Sequence, residues 1–371
     1  MRIGLVVTGG VDRSGRERVI PALLWLIEAL ARQHELHVFA LYHEDEPCTY
    51  PLLGATVHDL GTRRVVHGWR RLAQRQRLRS TLASLPRFDV LHAYWGVPAG
   101  WVATSVGRRL DLPVIVTANS GEFVADQRLA YGFQRRWIDR RLIRDTMRRA
   151  ARVTVCTRHM QSLAAGLGFD ATVIPIGVPA RLFTDEGATP YGQQDEGPWR
   201  LLHLAHLNPV KDQATLLRAF ANIRRSHDAH LDIAGGDTMN GRIQTLASDL
   251  GLSSHVTFHG LVPQETVRTL LSHAHLHVLS SRHEAAGVSV LEAAAARVAT
   301  AGTQVGYVAD WAPGAAVAVE PGDVGALSVA VSELLARPTR RRAVGEQAYA
   351  RAHAFTMDDT VQAFDALYRG Q

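Results

Sequence analysis

Residues 200–236 read RLLHLAHLNPVKDQATLLRAFANIRRSHDAHLDIAGG. The first eight residues are mostly apolar, as in a strand that is buried on both faces, and residues 213–227 carry apolar side chains at helical spacing. A second apolar run then ends in two glycines. A strand, a helix and a second strand in this order predict a βαβ unit, which belongs to a parallel sheet covered by helices.

The rest of the chain repeats this alternation on both sides of one interruption. Residues 184–199, TDEGATPYGQQDEGPW, are acidic and rich in glycine, proline and glutamine, which is typical of a linker. The chain closes with helical patterns over residues 323–353 and 357–369. Before the interruption, apolar runs of strand length alternate with helical patterns, and these runs are RIGLVVTGG, ELHVFAL, ATVHDLG, DVLHAYW, PVIVTANS and RVTVCT.

These patterns predict an α/β fold of two Rossmann-like, doubly wound domains that face an interdomain cleft. A length of 371 residues also favours two domains over one core. The predicted boundaries are 1–180 for the N-terminal domain, 181–199 for a linker, 200–354 for the C-terminal domain, and 355–371 for a helix that packs back toward the N-terminal domain.

The composition is that of a folded protein, with 46% hydrophobic and 20% charged residues. Cys48 and Cys156 are the only cysteines and lack metal-ligand spacing, which indicates a reducing compartment. No apolar run reaches the roughly 18 residues of a membrane span, and the apolar start is too short for a signal-peptide core. We therefore expect a cytoplasmic protein.

Charge is distributed unevenly along the chain. Residues 1–180 carry 25 arginines against 15 acidic residues, whereas residues 181–371 carry 15 arginines and one lysine against 20 acidic residues. Two arginine-rich stretches, 62–85 with Trp69 and 133–150 with Trp137, are either solvated helix faces or a surface for anionic lipid headgroups or a lipid-diphosphate acceptor. The second reading predicts a peripheral protein on the inner face of the membrane. Nucleic acid is not an expected partner, because no binding motif accompanies the charge. The arginines of the first stretch are Arg63, Arg64, Arg70, Arg71, Arg75, Arg77 and Arg79.

Lys211 is the only lysine among 41 basic residues. In an arginine-biased sequence it could stand there by chance. However, it follows a predicted strand by a few residues, and ligands of parallel sheets bind at the carboxyl ends of strands. A compact ammonium group also suits a phosphate differently from a planar guanidinium. We therefore interpret Lys211 as a phosphate-binding residue.

Residues 280–302, SSRHEAAGVSVLEAAAARVATAG, hold a second group of candidates. Glu284 follows a predicted strand, and Glu292 is the only charged residue of an apolar helix. A buried carboxylate is costly unless it is paired, and Arg297, five residues on, is poorly placed for a helical pair. We therefore favour ligand hydroxyl groups as the partners of Glu292. Gly287 opens the helix, whose N-terminus favours anions.

One predicted domain thus offers a lysine and a helix N-terminus for a diphosphate, and a carboxylate for sugar hydroxyls. This combination predicts a nucleotide-sugar site that needs neither a metal ion nor another cofactor. The histidines do not alter this interpretation, since no zinc-binding motif accompanies them. Those in SHAHLHVLSSRH are His273, His275, His277 and His283.

Over nearly its full length the chain resembles the GT-B-fold retaining glycosyltransferases of family 4, the glycosyl transferases group 1. The resemblance is carried by Glu284 and Glu292 in E-x7-E spacing and by LAHLNPVKDQATLLRAF, with support from SRHEAAGVSVLEAAAA and the terminal FDALY. It implies transfer of a hexose from a UDP- or GDP-linked sugar to a hydroxyl of a lipid, a glycan or a small molecule. It also implies retention of configuration without a metal ion.

The resemblance further implies roles for individual residues. Lys211 would neutralise the donor diphosphate, Glu292 would bind the ribose hydroxyls, and Glu284 would lie beside the donor sugar. Gly9 and Gly10 would let the N-terminal domain close on the donor. The remaining donor-binding candidates are His206, Asn208, Gly287 and Val288.

Three positions depart from the family pattern. His206 stands where the family often has an arginine, and Ala286 replaces an aromatic residue. Asn119, in TANSGEF, replaces a histidine, so we place it with Lys211 and Glu284 among the catalytic candidates. The acceptor-side candidates are Ser120, Glu122 and His92, the last at the end of DVLHAYW.

Two other functions use similar features. A nucleotide-sugar isomerase or epimerase would need acid and base carboxylates in both domains, and the N-terminal half offers only Glu122. A catalytically silent binding protein would not need Lys211, Glu284 and Glu292 together, and all three are present.

Overall fold

The computed structural model describes residues 1–61, 71–183 and 198–370, which form two compact units. The first unit comprises Met1–Gly177 and Met357–Gln371, and the second comprises Val178–Thr356. Each unit is an α/β, Rossmann-like fold built on one sheet, as the sequence predicts. Residues 62–70, with Arg63, Arg64, Trp69 and Arg70, and residues 184–197 of the predicted linker lie outside the described residues.

The first unit holds an eight-stranded sheet in the order β3-β4-β2-β1-β5-β6-β7-β8. Its six predicted strands are all present, and every neighbouring pair is parallel except β3 with β4. The strands are β1 (Arg2–Val7), β2 (Glu35–Ala40), β3 (Pro47–Leu52), β4 (Ala55–Leu60), β5 (Val90–Tyr94), β6 (Val114–Ala118), β7 (Arg152–Val155) and β8 (Thr172–Val173). The helices of this unit are α1 (Pro21–Ala31), α2 (Arg71–Ala83), α3 (Trp101–Leu110), α4 (Trp137–Arg149), α5 (Arg158–Ala165) and, near the C-terminus, α13 (Met357–Tyr368).

Strands β3 and β8 are additions that the sequence patterns did not predict; β8 has two residues, and the longer addition is β3. Its sequence, PCTYPL, contains two prolines, which normally argue against a strand. It is tolerated because β3 lies at the edge of the sheet, where proline need not donate to a neighbouring strand.

The second unit holds a six-stranded, fully parallel sheet in the order β11-β10-β9-β12-β13-β14. The helical pattern over residues 323–353 forms two helices rather than one, because Pro338 lacks the N–H that a continuous helix needs. The strands are β9 (Trp199–Leu204), β10 (Ala229–Ala234), β11 (Val256–Gly260), β12 (Leu276–Leu279), β13 (Thr300–Thr303) and β14 (Val317–Val319). The helices are α6 (Gln213–Ile223), α7 (Arg242–Asp249), α8 (Gln264–His273), α9 (Val288–Ala295), α10 (Gly306–Trp311), α11 (Val324–Ala336) and α12 (Pro338–His353).

The βαβ unit over residues 200–236 lies at the centre of this sheet. Helix α6 buries Leu216, Leu217 and Phe220 against Leu231 and Ile233 of β10. Burial of a side chain of this size stabilises the fold by about 1.5–3 kcal/mol. The loops at the carboxyl ends of β9 and β12 are therefore anchored on a packed core.

Gly306, at the start of α10, fixes the loop after β12. Its φ is +52°, and a Cβ atom there would lie 2.3 Å from the Ala286 carbonyl oxygen and 3.0 Å from Glu284 Cβ. Only glycine allows this close approach. The backbone N–H of Tyr307, in α10, donates to the Ala286 carbonyl at 2.7 Å. This hydrogen bond ties the loop after β12 to α10.

We expect Gly306→Ala to lower the free energy of unfolding by about 2–3 kcal/mol, because it combines positive φ with a backbone clash. The matched control is Gly251→Ala, which has φ +71° with no atom within 4 Å of the added Cβ and should cost about 1 kcal/mol. Urea denaturation of both variants measures the difference. Equal costs would show that the loop yields to the added methyl group.

Candidate active site

The loop between β9 and α6 holds Lys211 in a defined position. Asn208 Oδ1 accepts hydrogen bonds from the backbone N–H groups of Val210, at 3.0 Å, and Lys211, at 3.2 Å. Asp212 caps α6 by accepting from the Thr215 N–H at 3.2 Å. Both ends of this short loop are therefore fixed by side-chain hydrogen bonds to the backbone.

Lys211 and Glu284, 73 residues apart in the chain, form an ion pair. Lys211 Nζ lies 2.5 Å from Glu284 Oε1, and Ser281 Oγ donates to the same oxygen at 2.7 Å. The two side chains are 25% and 10% exposed. An ammonium group has three donors, so the pair leaves two donors of Lys211 for another acceptor.

Three further contacts join the loops after β9 and β12. Ser280 Oγ donates to the Lys211 carbonyl at 2.8 Å. Arg282 forms an ion pair with Asp212, with 2.5 Å between Nε and Oδ2, and its backbone N–H donates to Val210 at 2.7 Å. The sequence analysis missed Arg282, although a basic residue just after a strand and close to Glu284 was an available signal.

His206 lies beside this loop and is exposed. The Gly236 N–H donates to His206 Nδ1 at 3.0 Å, and the His206 carbonyl accepts from Gln213 Nε2 at 3.0 Å. Because Nδ1 is an acceptor, the proton of the neutral ring is on Nε2. His206 is thus a fixed hydrogen-bond donor rather than a permanent cation.

Helix α9 begins directly after the Glu284 loop. Gly287 precedes its first residue, Val288, with φ +80°. A Cβ atom at Gly287 would lie 3.8 Å from Glu284 Cγ. The free N–H groups of this helix start therefore lie on the same loop as the carboxylate, and they favour a negatively charged ligand.

Glu292 lines a pocket of about 380 Å³ in the second unit. Gln264 Nε2 donates to Glu292 Oε1 at 2.8 Å. Burial raises the pKa of Glu292 to about 7, and the hydrogen bond from Gln264 opposes part of that rise. The other described lining residues are Leu182, Glu265, Arg268, Thr269, Leu271, Ser272 and Ala296.

Arg297 is not the partner of Glu292. It forms an ion pair with Glu346 and stacks on the ring of Tyr349, with 3.6 Å between the guanidinium carbon and the ring centroid. The structure therefore excludes the simple salt bridge that the sequence left as an alternative. Gln264, which sequence analysis did not identify, takes that place.

The first unit has a pocket of about 610 Å³, which we call the N-terminal pocket. It lies at the carboxyl ends of β1, β5 and β6, where ligands of parallel sheets bind. It brings together three of the predicted residues, Gly9, Gly10 and Ser120. The other described lining residues are Thr8, Ile20, Tyr42, Trp95, Val97, Pro98 and Phe133.

Asn119 is held beside this pocket by neighbouring strands. Its Nδ2 donates to Tyr94 OH at 2.6 Å, and its Oδ1 accepts from Cys156 Sγ at 2.9 Å. Burial raises the pKa of Tyr94, so its hydroxyl remains protonated. The amide of Asn119 is therefore fully oriented by these contacts, and its assignment to catalysis stays a prediction.

Two acceptor-side candidates occupy buried positions instead of an open edge. Glu122 is 0% exposed and accepts from the backbone N–H groups of Gly96, at 2.9 Å, and Ser120, at 2.7 Å. Burial raises its pKa, and the backbone hydrogen bonds oppose that rise. Glu122 therefore organises the loops that carry Gly96 and Ser120.

His92, the acceptor-side candidate at the end of DVLHAYW, does not line an open site. It is 0% exposed, with Nδ1 2.7 Å from Tyr368 OH and Nε2 2.7 Å from Thr117 Oγ1. Burial lowers its pKa to about 3, so the ring is neutral at physiological pH. It is covered by Phe364 and Tyr368 of α13, a contact that strand patterns cannot reveal.

Within the described ranges, one group of side chains has the spacing of metal ligands: Asp12, His43 and Glu44. The guanidinium of Arg18 forms ion pairs with both Asp12 and Glu44. Arg18 thus supplies the positive charge that these carboxylates require.

Comparison with known proteins identifies the family. The chain matches the family described as Glycosyl transferases group 1 over residues 191–351 and the Glycosyl transferase 4-like domain over residues 19–177. It is 24% identical over 365 residues to the D-inositol 3-phosphate glycosyltransferase of Segniliparus rotundus, covering 90% of this chain and 80% of that protein.

A second relative and a solved structure agree with this result. The chain is 34% identical over 154 residues to the GDP-mannose-dependent alpha-(1-6)-phosphatidylinositol monomannoside mannosyltransferase of Mycolicibacterium smegmatis, covering 38% of this chain and 40% of that protein. The fold is similar to sucrose-phosphate synthase from Thermosynechococcus elongatus, with a TM-score of 0.82 and 19% identity over 100% of this chain and 99% of that chain. The chain therefore belongs to the GT4-type glycosyltransferases of GT-B fold, enzymes that use nucleotide sugars.

Proposed function

We propose that this enzyme is a retaining, metal-independent hexosyltransferase. It takes a hexose from a UDP- or GDP-linked donor and transfers it to a hydroxyl group of a lipid, a glycan or a small molecule. The observation that carries this proposal is the Lys211–Glu284 pair at the start of helix α9. A fixed cation and a helix N-terminus suit a diphosphate without a metal ion.

The proposed chemistry follows from where charge develops. As the bond between the sugar and the donor phosphate breaks, negative charge grows on the leaving diphosphate. The two remaining donors of Lys211 and the N–H groups at the start of α9 would stabilise that charge more strongly in the transition state than in the ground state. In this proposal, the interaction that raises the rate most is the one with the leaving diphosphate.

Glu284 is suited to hold the donor sugar. Its Oε1 accepts from Lys211 and Ser281, whereas its Oε2 accepts no hydrogen bond from the described residues. Oε2 is therefore open to a sugar hydroxyl. We propose that retention arises by attack on the face that the diphosphate leaves. The acceptor oxygen bonds to the anomeric carbon, and its proton passes to the departing phosphate.

Glu292 would bind the ribose hydroxyls in the 380 Å³ pocket, oriented by Gln264. The M. smegmatis relative is named for GDP-mannose, so GDP-mannose comes first among the donors to test. A thermal-shift screen of UDP, GDP and their hexose conjugates tests the proposal directly. A nucleotide at about 100 times its dissociation constant should stabilise the fold by about 2.7 kcal/mol.

An isomerase is disfavoured, because the matching family models and relatives are transferases.

We expect Lys211→Ala to lower the transfer rate by about 10² to 10³ with little loss of stability, because the lost donor acts mainly on the leaving group. Lys211→Arg should retain partial activity at best, since the larger planar group must fit beside Glu284 and His206 offers no second permanent cation. Steady-state kinetics measure both effects, with a donor that stabilises the enzyme in the thermal-shift screen. The control is Arg218→Ala, an exposed charge on α6. Full activity in Lys211→Ala would remove the assignment of the diphosphate site.

We expect nucleotide affinity to rise as pH increases from 6 to 8, because Glu292 must be ionised to accept two ribose hydroxyls and its pKa is about 7. Glu292→Gln should bind nucleotide weakly and lose this pH dependence. The variant should also be at least as stable as the wild type at pH 8. A carboxyl whose pKa is raised by folding lowers stability as pH rises from its ordinary value of 4.5 toward 7. Calorimetry at several pH values checks the affinity, and an unchanged affinity in the variant would refute the ribose role.

We also propose contact with anionic membrane through α4. Trp137 and Ile138 at its start are 70% and 41% exposed, and the helix buries Ile143 and Met147 on its other face. None of the described helices is long and apolar enough to cross a membrane. The exposed arginines of α4 are Arg140, Arg141, Arg144, Arg148 and Arg149.

We expect binding to phosphatidylserine vesicles that weakens with salt, because each basic residue near the surface contributes about 1 kcal/mol and salt screens it. Charge reversal at Arg140 and Arg144 should reduce binding by about tenfold or more. Vesicle co-sedimentation measures this, with Arg218→Glu/Arg242→Glu in the second unit as the charge-matched control. Equal binding to neutral and anionic vesicles would contradict the proposal.

A further inference from the structure

The N-terminal pocket differs in chemistry from the charged loops of the second unit. None of its described lining residues carries a charge, and its volume of about 610 Å³ lies in the range of small-molecule sites. Its polar side chains are the hydroxyls of Thr8, Ser120 and Tyr42. The apolar remainder is Ile20, Trp95, Val97, Pro98 and Phe133.

Trp95 has an unusual backbone conformation in this wall. Its φ is +82° and its ψ is 144°, values that a bulky residue rarely adopts. The conformation is held on both sides, because the Trp95 N–H donates to the Thr117 carbonyl at 2.8 Å and the Gly100 N–H donates to the Trp95 carbonyl at 2.9 Å. Strained backbone of this kind is concentrated at active sites and ligand-binding sites.

The Trp95 ring is also held by an aromatic contact with Tyr94. It packs edge-on against Tyr94, with 4.9 Å between the ring centroids and 79° between the planes. Tyr94 is buried and accepts a hydrogen bond from Asn119 at 2.6 Å. Trp95 itself keeps part of its surface exposed in the pocket. The ring is therefore a supported, accessible aromatic surface.

Arg18, two residues before the lining residue Ile20, is already paired. Arg18 forms ion pairs with both Asp12 and Glu44, so two carboxylates surround one guanidinium. Burial alone would raise the pKa of Asp12, but hydrogen bonds from Ser14 and Arg18 outweigh it and lower the pKa to about 2. A phosphate group entering the pocket would meet no unpaired positive side chain among the described lining residues, whereas phosphate recognition normally uses arginine or lysine.

We propose that the N-terminal pocket binds an uncharged acceptor, a neutral glycoside or a comparable ring-bearing alcohol, whose apolar face stacks on Trp95. The inference rests on the proposed function, since it assigns the acceptor to this pocket. It separates this enzyme from the S. rotundus relative, which is named for inositol 3-phosphate. The apolar face of the ring lies on the indole, and the ring hydroxyls bond to Ser120 and Thr8.

Titration calorimetry of the full-length chain with 4-nitrophenyl α-D-glucopyranoside and with D-glucose 6-phosphate tests this specificity. The neutral glucoside should bind, and glucose 6-phosphate should bind at least tenfold more weakly. Trp95→Ala should weaken glucoside binding by about three- to tenfold, as expected for the loss of one aromatic contact. Trp95→Phe should retain most of the affinity, and Trp137→Ala, a tryptophan that does not line the pocket, should retain all of it.

Tighter binding of glucose 6-phosphate, unchanged affinity in Trp95→Ala, or no binding of the glucoside to the wild type would each overturn the proposal. If Trp95→Ala does not fold, Phe133→Leu tests the same wall and should also weaken binding. Titrations with UDP and GDP separate this inference from the proposed function. Nucleotide binding without glucoside binding refutes only the acceptor assignment. If neither UDP nor GDP binds, the donor-site assignment is refuted.

Discussion

The ion pair between Lys211 and Glu284 is the interaction on which the rest of the second unit's site depends. An isolated charge in a partly buried position is costly, so each of these residues needs the other when no ligand is present. The surrounding contacts are arranged to hold the pair. Asn208 fixes the lysine loop, Ser281 fixes the carboxylate, and Arg282 joins the two loops through Asp212. The charged side chains of the site therefore pair with one another when no ligand is bound.

The same constraint explains why these residues lie on loops that a rigid core supports. The loops follow β9 and β12, which are adjacent in the sheet, and Gly306 allows α10 to press against the Glu284 loop. Glu292 illustrates a different solution. It lies in α9, where the Gln264 amide is its one hydrogen-bond partner among the described residues, and burial raises its pKa instead.

Much of this was predictable from sequence, for identifiable reasons. Parallel strands buried on both faces produce continuous apolar runs, so all the predicted strands are present, and the loop positions of Lys211 and Glu284 follow from the strands before them. Strand β3 was missed because its edge position permits prolines that strand patterns exclude. His92 was misplaced because α13, 276 residues later in the chain, covers it. Gln264 and Arg282 were missed because their roles depend on contacts between distant segments.

The two pockets also differ in how much of their chemistry a sequence can reveal. A diphosphate demands fixed positive charge and backbone N–H groups, so the residues that serve it are few and their spacing is constrained. A neutral ring demands only surface of suitable shape, which many apolar residues can supply. The lining of the N-terminal pocket, for which we propose such a ligand, comes from separate parts of the first unit, from Thr8 to Phe133, without any short motif. Trp95 was recognised as a candidate binding residue only from its backbone conformation, which cannot be read from the amino-acid sequence. The residues proposed for donor binding are therefore readable in the sequence, whereas the pocket proposed for the acceptor has to be argued from the fold.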